Sequence, residues 1–497
     1  RYGGKSVDYT ELNRGLLAVL PEILLLVLGF IVIGSDLFLG EARKRALGWL
    51  SMIGLIGALV VVGVQTAPLL GADADVRPAL GNMVRVDLTV QLFRIMFVVA
   101  AALTCLISMD FKPLKQSGEF YGLVIFATLG MNMMAAANNI IMLYVALETT
   151  SITLYLLAGY LRESPRSSEA GMKYFLFGAF TSTILLYGLS LIYGFTGQTE
   201  YSAVVHALNA LGPEGTPPTF VALVLVLVGF GFKVAAVPFH MWTPDVYEGA
   251  PTPITAFVSV ASKAAGFAVL VRVFLLMFAP IQNQWVGLVA GLSLLTMTLG
   301  NVLAIPQRNL KRMLAYSSIA QAGYVLIGVA AVGELGVAAV LFYLAVYVLT
   351  NVAAFAVVEV VTNVMGTENL YEMAGLSRRS FGLALGMMLA MLSLGGVPPL
   401  AGFFAKFYIF QAAISSGLVW LAVAGVLNSI VALYYYLVVI RVIFVDPSKG
   451  EETPAAIPFT LRAGLVLCSV GILFLGVFVT PWYNLATRAA QTLINGL

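Results

Sequence analysis

The stretch TFVALVLVLVGFGFKVAAVPFHMWTP, residues 219–244, decides the fold. It opens as an apolar run of membrane-spanning length, places Lys233 well inside that run, and interrupts it at Pro238. Proline removes a backbone donor and clashes with the preceding turn. Non-helical backbone at membrane depth survives only inside protein or beside a water-filled cavity. The stretch therefore reads as a broken membrane helix with a lysine beside its break.

Working outward, the same reading repeats. Of the 497 residues, 60% are hydrophobic and 10% charged, whereas soluble domains average roughly 25% charge. The fold class is an all-α polytopic membrane protein with about fourteen transmembrane helices. The predicted spans are 15–36, 46–66, 88–108, 119–137, 139–161, 171–195, 219–240, 252–278, 282–304, 310–332, 335–362, 381–414, 417–445 and 458–480. The twelfth is broken like the seventh: GGVPPLAGFFAK, residues 395–406, sets Gly395, Gly396, Pro398, Pro399 and Gly402 just before Lys406. Paired interrupted helices in two halves of a chain point to an inverted-repeat transporter and its ion site. The two broken spans, seventh and twelfth, are five apart, and this odd spacing gives them opposite orientations. The expected organisation is one membrane domain over 1–497. Within it, three N-terminal helices occupy 15–108, inverted five-helix repeats occupy 119–278 and 282–445, and a last helix occupies 458–480.

Loop charge orients the chain. Alternate loops carry Arg43, Lys44 and Arg45; Lys112 and Lys115; Arg162 and Arg166; Arg308, Lys311 and Arg312; Arg378 and Arg379; and Arg441 and Lys449. The opposite side carries only Arg1, Lys5, Arg14, Arg77, Arg85 and Arg488. The positive-inside rule places both termini outside. A bacterial cytoplasmic membrane is the default host and a thylakoid-type membrane the alternative. The chain begins at Arg1 rather than Met, so its natural start is expected upstream, and no cleavable signal peptide is evident.

Five spans hold an ionisable group well inside: Glu148, Lys173, Lys233, Lys263 and Lys406. A lysine at the bilayer centre costs about 2.5–3.5 kcal/mol, and the usual use of such a group is to move ions or protons. Burial disfavours the charged ammonium and a nearby carboxylate favours it, so a movable Glu148–Lys233 pair makes a two-state proton switch. The plainer reading is a static pair. Lys263 sits among small residues that leave room for water or a facing helix. Lys173 lies early in its span, where it could snorkel to the surface. His240, at the break, could relay protons or cap exposed carbonyls. Glu22 and Glu359 read as buried polar contacts, while Asp245 and Glu248 read as ordinary loop charges. Cys105, Cys468, His206 and His240 form no metal-ligand spacing. No metal, haem, flavin, nucleotide or iron–sulfur centre is expected in this chain, and nothing points to nucleic acid.

The run GFKVAAVPFHMWTPDVYEGAPTP (231–253), its continuation TAFVSVASK (255–263), and QRNLKRMLAYSSIAQAGY (307–324) resemble the antiporter-like membrane subunits of respiratory complex I. Their form is closer to the subunit N branch than to sister subunits L and M. Leu20-Pro21-Glu22 and the break before Lys406 agree with that branch. The resemblance implies fourteen core helices, inverted repeats, and breaks in the seventh and twelfth helices. It implies a Glu148–Lys233 pair, a central Lys263, a twelfth-helix Lys406, and supporting roles for Lys173 and His240 in proton transfer. It also implies partners: an antiporter-like subunit M, small subunits of the A, J and K types, and redox subunits holding flavin, iron–sulfur clusters, quinone and an NAD(P)H or other donor site. Two other readings fit the same residues. One is a subunit of a multi-subunit Na⁺/H⁺ antiporter; the other is a structural subunit that couples its neighbours.

Overall fold

A computed structural model describes residues 9–40, 43–71, 77–114, 117–448 and 457–494. Of the charges used for orientation, Arg1, Lys5, Lys115 and Lys449 lie outside these residues. The described residues open with α1 (Tyr9–Ala18), α2 (Leu20–Asp36) and α3 (Arg45–Thr66), followed by a hairpin of β1 (Arg77–Ala79) and β2 (Val84–Val86). Next come α4 (Leu88–Ser108), α5 (Gly118–Ala136), α6 (Ile140–Ala158), α7 (Pro165–Thr196), α8 (Tyr201–Leu211), α9 (Thr216–Val234) and α10 (Trp242–Gly249). The expected eighth span is one buried rod in which α11 (Thr252–Phe257) and α12 (Lys263–Arg272) are each followed by a π-helical turn, at Val258–Ser262 and Val273–Met277. Then follow α13 (Gln282–Ala304), α14 (Leu310–Ala330), α15 (Gly333–Met365), the short α16 (Leu376–Arg379), α17 (Phe381–Gly395), α18 (Ala401–Ser415), α19 (Val419–Phe444), α20 (Phe459–Val477) and α21 (Val479–Ile494).

Helix starts follow local chemistry. Asp87, Ser117, Asn139, Ser164 and Asn309 each accept a hydrogen bond from a backbone N–H of the first turn, meeting donors that the helix itself leaves free. Left-handed Gly197 and Gly366 end the two longest helices, α7 and α15, where glycine adopts positive φ at no steric cost. Neighbouring helices approach through small residues. At Gly300 and Gly323 an added Cβ would lie 2.5 Å from Ala320 N and 2.4 Å from Met297 N. The α13 and α14 backbones therefore touch, as small-residue membrane interfaces allow.

Among the described residues, twelve helical stretches are long and apolar enough to cross a membrane, against fourteen expected spans. The expected 15–36 divides at Val19, leaving α2 with 17 residues. The expected 381–414 divides into two 15-residue halves. The expected loop 196–218 contains α8, and the last span is followed by a further helix, α21, turned off at Phe478. The rod from Thr252 to Met277 is almost wholly enclosed by protein, with only Leu275 half-buried; α14 and α15 are nearly as sheltered, whereas most of α3 and α19 is not. The lysine-bearing rod thus lies at the centre and α3 and α19 at the rim.

Candidate functional site

The two helix breaks share one local design. α9 ends two residues after Phe232 because Ala235 adopts φ 59°, and Ala236 N then donates to Gly231 O at 2.8 Å. α17 ends because Gly396 adopts φ 81°, and Val397 N donates to Leu392 O at 3.0 Å. In each case a left-handed residue is followed by an N–H that reaches back five residues. Side chains satisfy other freed groups: Thr296 accepts from Val237 N (3.0 Å), Trp242 donates to Phe232 O (3.1 Å), and Ser393 accepts from Gly402 N (3.2 Å). Buried polar groups need such partners. Pro238 and Pro399 follow cis peptide bonds in the two connections, and Pro398 immediately precedes Pro399.

Lys233 is buried on the last turn of α9, and its Nζ makes no hydrogen bond among the described residues. Of the two states expected for a movable Glu148–Lys233 pair, the structure shows them apart: no carboxylate oxygen of Glu148 lies within 4 Å of Lys233 Nζ, and Glu148 Oε1 is itself buried without a hydrogen bond. Glu148 is nevertheless within electrostatic range of Lys233. α6 holds Glu148 on a half-buried face, whereas Lys233 points into the interior, and this separates them. His240 lies in the connection between α9 and α10, its Nδ1 buried without a hydrogen bond and its ring within electrostatic range of Lys263.

Lys263 and Lys406 face opposite ends of one polar stripe on α14. Lys263 Nζ donates to Ser318 O (2.8 Å) and Ser318 Oγ (2.5 Å). Ser318 Oγ also accepts from Tyr347 (2.8 Å) and lies 3.2 Å from the Tyr247 hydroxyl. Asn351 extends this cluster from Tyr347 (3.2 Å) to Ser259 (2.6 Å). One turn along α14, Gln321 donates to Tyr436 (3.0 Å) and to Leu394 O (3.1 Å) and accepts from Tyr343. Tyr436 lies 2.5 Å from Ser317 Oγ. Lys406 Nζ donates to the next carbonyl, Gly395 O (3.3 Å), and sits 4.7 Å from the centre of the Tyr324 ring, a cation–π distance. Asn301 ties Tyr324 (3.1 Å) to Tyr435 (3.0 Å).

Lys173 lies apart from this interior path. Its side chain is 37% exposed and bonds Glu169 and Asp245, each at 2.7 Å. Arg312 bonds Asp245 at 2.8 Å and Glu248 at 3.0 Å, and Lys311 donates to the Glu248 and Ala250 carbonyls at 2.9 Å. Beside them is a cavity of about 200 Å³ lined by Arg166, Glu169, Lys173, Asp245 and Glu248. Partial burial pushes the Asp245 carboxyl up, but hydrogen bonds from Lys173 and Arg312 outweigh it and hold the group below its ordinary range. Asp245 and Glu248 are thus the anchors that fasten α10 to α7 and α14, a role their loop position did not disclose. Sequence reasoning also passed over Arg94 and Arg272. Arg94 closes a buried fork on Glu22 (Nε to Oε1 2.8 Å, Nη2 to Oε2 2.9 Å). Arg272 meets buried Asp87 at 3.0 Å. Both arginines lie inside predicted spans and could have been flagged there.

Large interior cations on a broken-helix scaffold define an antiporter-like membrane protein. Residues 137–432 match the family described as NADH:quinone oxidoreductase/Mrp antiporter, transmembrane. The NADH-quinone oxidoreductase subunit N of Trichlorobacter lovleyi is 42% identical over 95% of this chain and 96% of its own length. The NAD(P)H-quinone oxidoreductase subunit 2 of a Synechococcus strain is also 42% identical, over 95% and 91%. A chain of Thermus thermophilus respiratory complex I superposes with TM-score 0.78 at 33% identity, covering 94% of this chain and 99% of that one. A chain of the Mrp complex of a Dietzia species shares the fold, with TM-score 0.85 at 22% identity over 97% and 98%. The chain belongs to the NADH:quinone oxidoreductase/Mrp antiporter membrane family, within its subunit N branch.

Proposed function

We propose that this chain is a proton-translocating membrane-arm subunit of a complex I-type NADH or NAD(P)H:quinone oxidoreductase, and that it carries no redox centre itself. The observation that carries this reading is the pair of buried lysines, Lys263 and Lys406, reaching the two ends of one polar stripe on α14. Glu148 and Lys233 supply the switch: separated, as here, the Lys233 amine is buried without a hydrogen bond and half-buried Glu148 keeps Oε1 without one; brought together, the carboxylate favours the charged lysine. A proton leaving Lys233 passes through water to Lys263, with His240 beside the route, and on toward Lys406. Transfer between amines requires that burial bring their protonated and free forms close in energy. Lys173 serves at the surface mouth, fastening α10.

The repeated break design supports two inverted repeats over 119–278 and 282–445, flanked by 15–108 and 458–480. Quinone reduction in partner subunits, which hold the flavin, iron–sulfur clusters and donor site, would drive the cycle. The partners are a neighbouring antiporter-like subunit M and small subunits of the A, J and K types, in a bacterial cytoplasmic membrane with both termini outside. Likeness in fold to the Mrp chain also suits a sodium/proton antiporter, but the greater identity to subunit N relatives favours the redox-driven reading. The test compares proton pumping with electron transfer in sealed vesicles carrying wild type, Lys233→Ala or Lys263→Ala. Both activities falling together in an assembled complex supports the reading; unchanged activities overturn it.

A further inference from the structure

Late in α15, away from the lysine path, Glu359 is 0% exposed, and neither carboxylate oxygen has a hydrogen-bond partner among the described residues. No lysine or arginine among those residues comes within 4 Å of it. An ionised carboxylate so placed is a buried charge with neither donor nor counter-ion, the costliest arrangement a protein interior can hold. Its electrostatic neighbours include Asp110, just beyond α4, and Tyr121 of α5. Neither offers a positive charge, and an ionised Asp110 repels a second anion. The form that suits this site is the neutral acid, which carries a proton.

Asp110 itself reaches the surface. Asp110 accepts from Arg45 Nη2 at 2.9 Å and from Thr460 Oγ1, and the Arg45 side chain is 54% exposed against 15% for Asp110. Asp110 is thus a partly exposed acid joined to surface Arg45, and it lies within electrostatic range of Glu359. The helix that carries Glu359 also carries Asn351 and Tyr347 of the Lys263 cluster. Asn351 is eight residues away, about 12 Å along the axis.

We infer that Glu359 is a proton-storage residue of this subunit, loaded from the surface through Asp110. The inference rests on the proton-translocating reading above. The step moves a proton alone: an O–H bond breaks on hydronium or on protonated Asp110 and is remade on a Glu359 oxygen, and no electron is transferred.

The experiment uses the assembled complex in sealed vesicles. Infrared difference spectra during turnover are compared for wild type, Glu359→Gln, Glu359→Asp and Asp110→Asn, with proton uptake measured in parallel. Wild type should show a protonated-carboxyl band that changes on turnover and is absent in Glu359→Gln. Proton uptake should fall about tenfold in Glu359→Gln, less than the 10²–10⁴ typical of a positioned proton-transfer group because water offers a bypass. Glu359→Asp should keep part of the rate, and Asp110→Asn should slow uptake while leaving the band in place. Wild-type uptake in Glu359→Gln overturns the inference, since an amide of the same shape then suffices. So does failure of both Glu359 variants to assemble, which makes the residue structural. Lys263→Ala, run alongside, separates the two proposals: its loss of pumping with Glu359→Gln normal refutes only the storage role.

Discussion

Removing one hydroxyl, in Ser318→Ala, tests the centre of the proposed path. Lys263 Nζ holds two acceptors on this residue, the backbone oxygen at 2.8 Å and Oγ at 2.5 Å. The substitution leaves the first and deletes the second, together with the acceptor used by Tyr347. A hydrogen bond to a charged group contributes about 1.5–3 kcal/mol, so the population of protonated Lys263 relative to the free amine should change by about one to two orders of magnitude. If that population limits transfer, pumping and coupled electron transfer fall together by a similar factor while the complex still assembles. Ser318→Thr, which keeps the hydroxyl, should retain most of the activity. The assay is proton pumping and quinone reduction in sealed vesicles, with assembly followed by native gel. Wild-type pumping in Ser318→Ala, beside an inactive Lys263→Ala, would refute the claim that the hydroxyl cluster is part of the path.

Three further outcomes are expected. Arg94→Leu leaves Glu22 as a buried, unpaired charge and should cost about 3–5 kcal/mol, whereas Glu22→Leu/Arg94→Leu should recover most of it. Thermal denaturation of the solubilised complex checks this, and a double variant as unstable as the single one sinks the argument. Gly402→Ala sets a Cβ 1.8 Å from Ser393 O, where real Cβ atoms keep 3.0 Å. The two halves at the second break must then separate by about 1.2 Å, at a cost of about 1–3 kcal/mol; pumping should fall through displaced Lys406, and normal stability and pumping would show that the break is slack. Because the folded state holds Asp245 below its ordinary range, the stability it lends is present above that range and is lost as pH falls through the lowered value. Asp245→Asn should therefore flatten the acid limb of a stability–pH profile, and an unchanged limb assigns that limb to other carboxylates.

The breaks were legible from sequence because glycine and proline inside apolar runs have few other meanings, and the structure ends helices at Val234 and Gly395 beside them. Lys233, Lys263 and Lys406 were legible because charge inside a span is costly, and all three are buried. Partners were not. Glu148 and Lys233 were expected as a movable pair, close or apart, and the structure holds them apart; which state is occupied depends on how far two helices rotate about their axes, which no local pattern records. Lys173 was placed within reach of the surface by its early position in the span, and it lies there, but its tie to Asp245 depends on where the second half of a broken helix swings. The stripe Ser317, Ser318, Gln321, Tyr324 went unread, although Ser318, Gln321 and Tyr324 stand three apart in an apolar span, close to the spacing of one helix face. Arg94 was equally visible, and its partner Glu22 lies more than seventy residues away.

The enclosure of the rod from Thr252 to Met277 has a consequence for how lipid can influence this protein. Lys263 is buried inside the chain, and the helices carrying its hydroxyl partners are nearly as well sheltered, while α3 and α19 are the most open of the long apolar helices. The arrangement is that of an insulated conductor: an outer sheath absorbs mismatch in bilayer thickness by tilting, and the proton-bearing strand sits in a medium set by protein alone. Changes in lipid chain length should act on how the sheath docks with its neighbours and leave the energetics of the inner strand largely as they are.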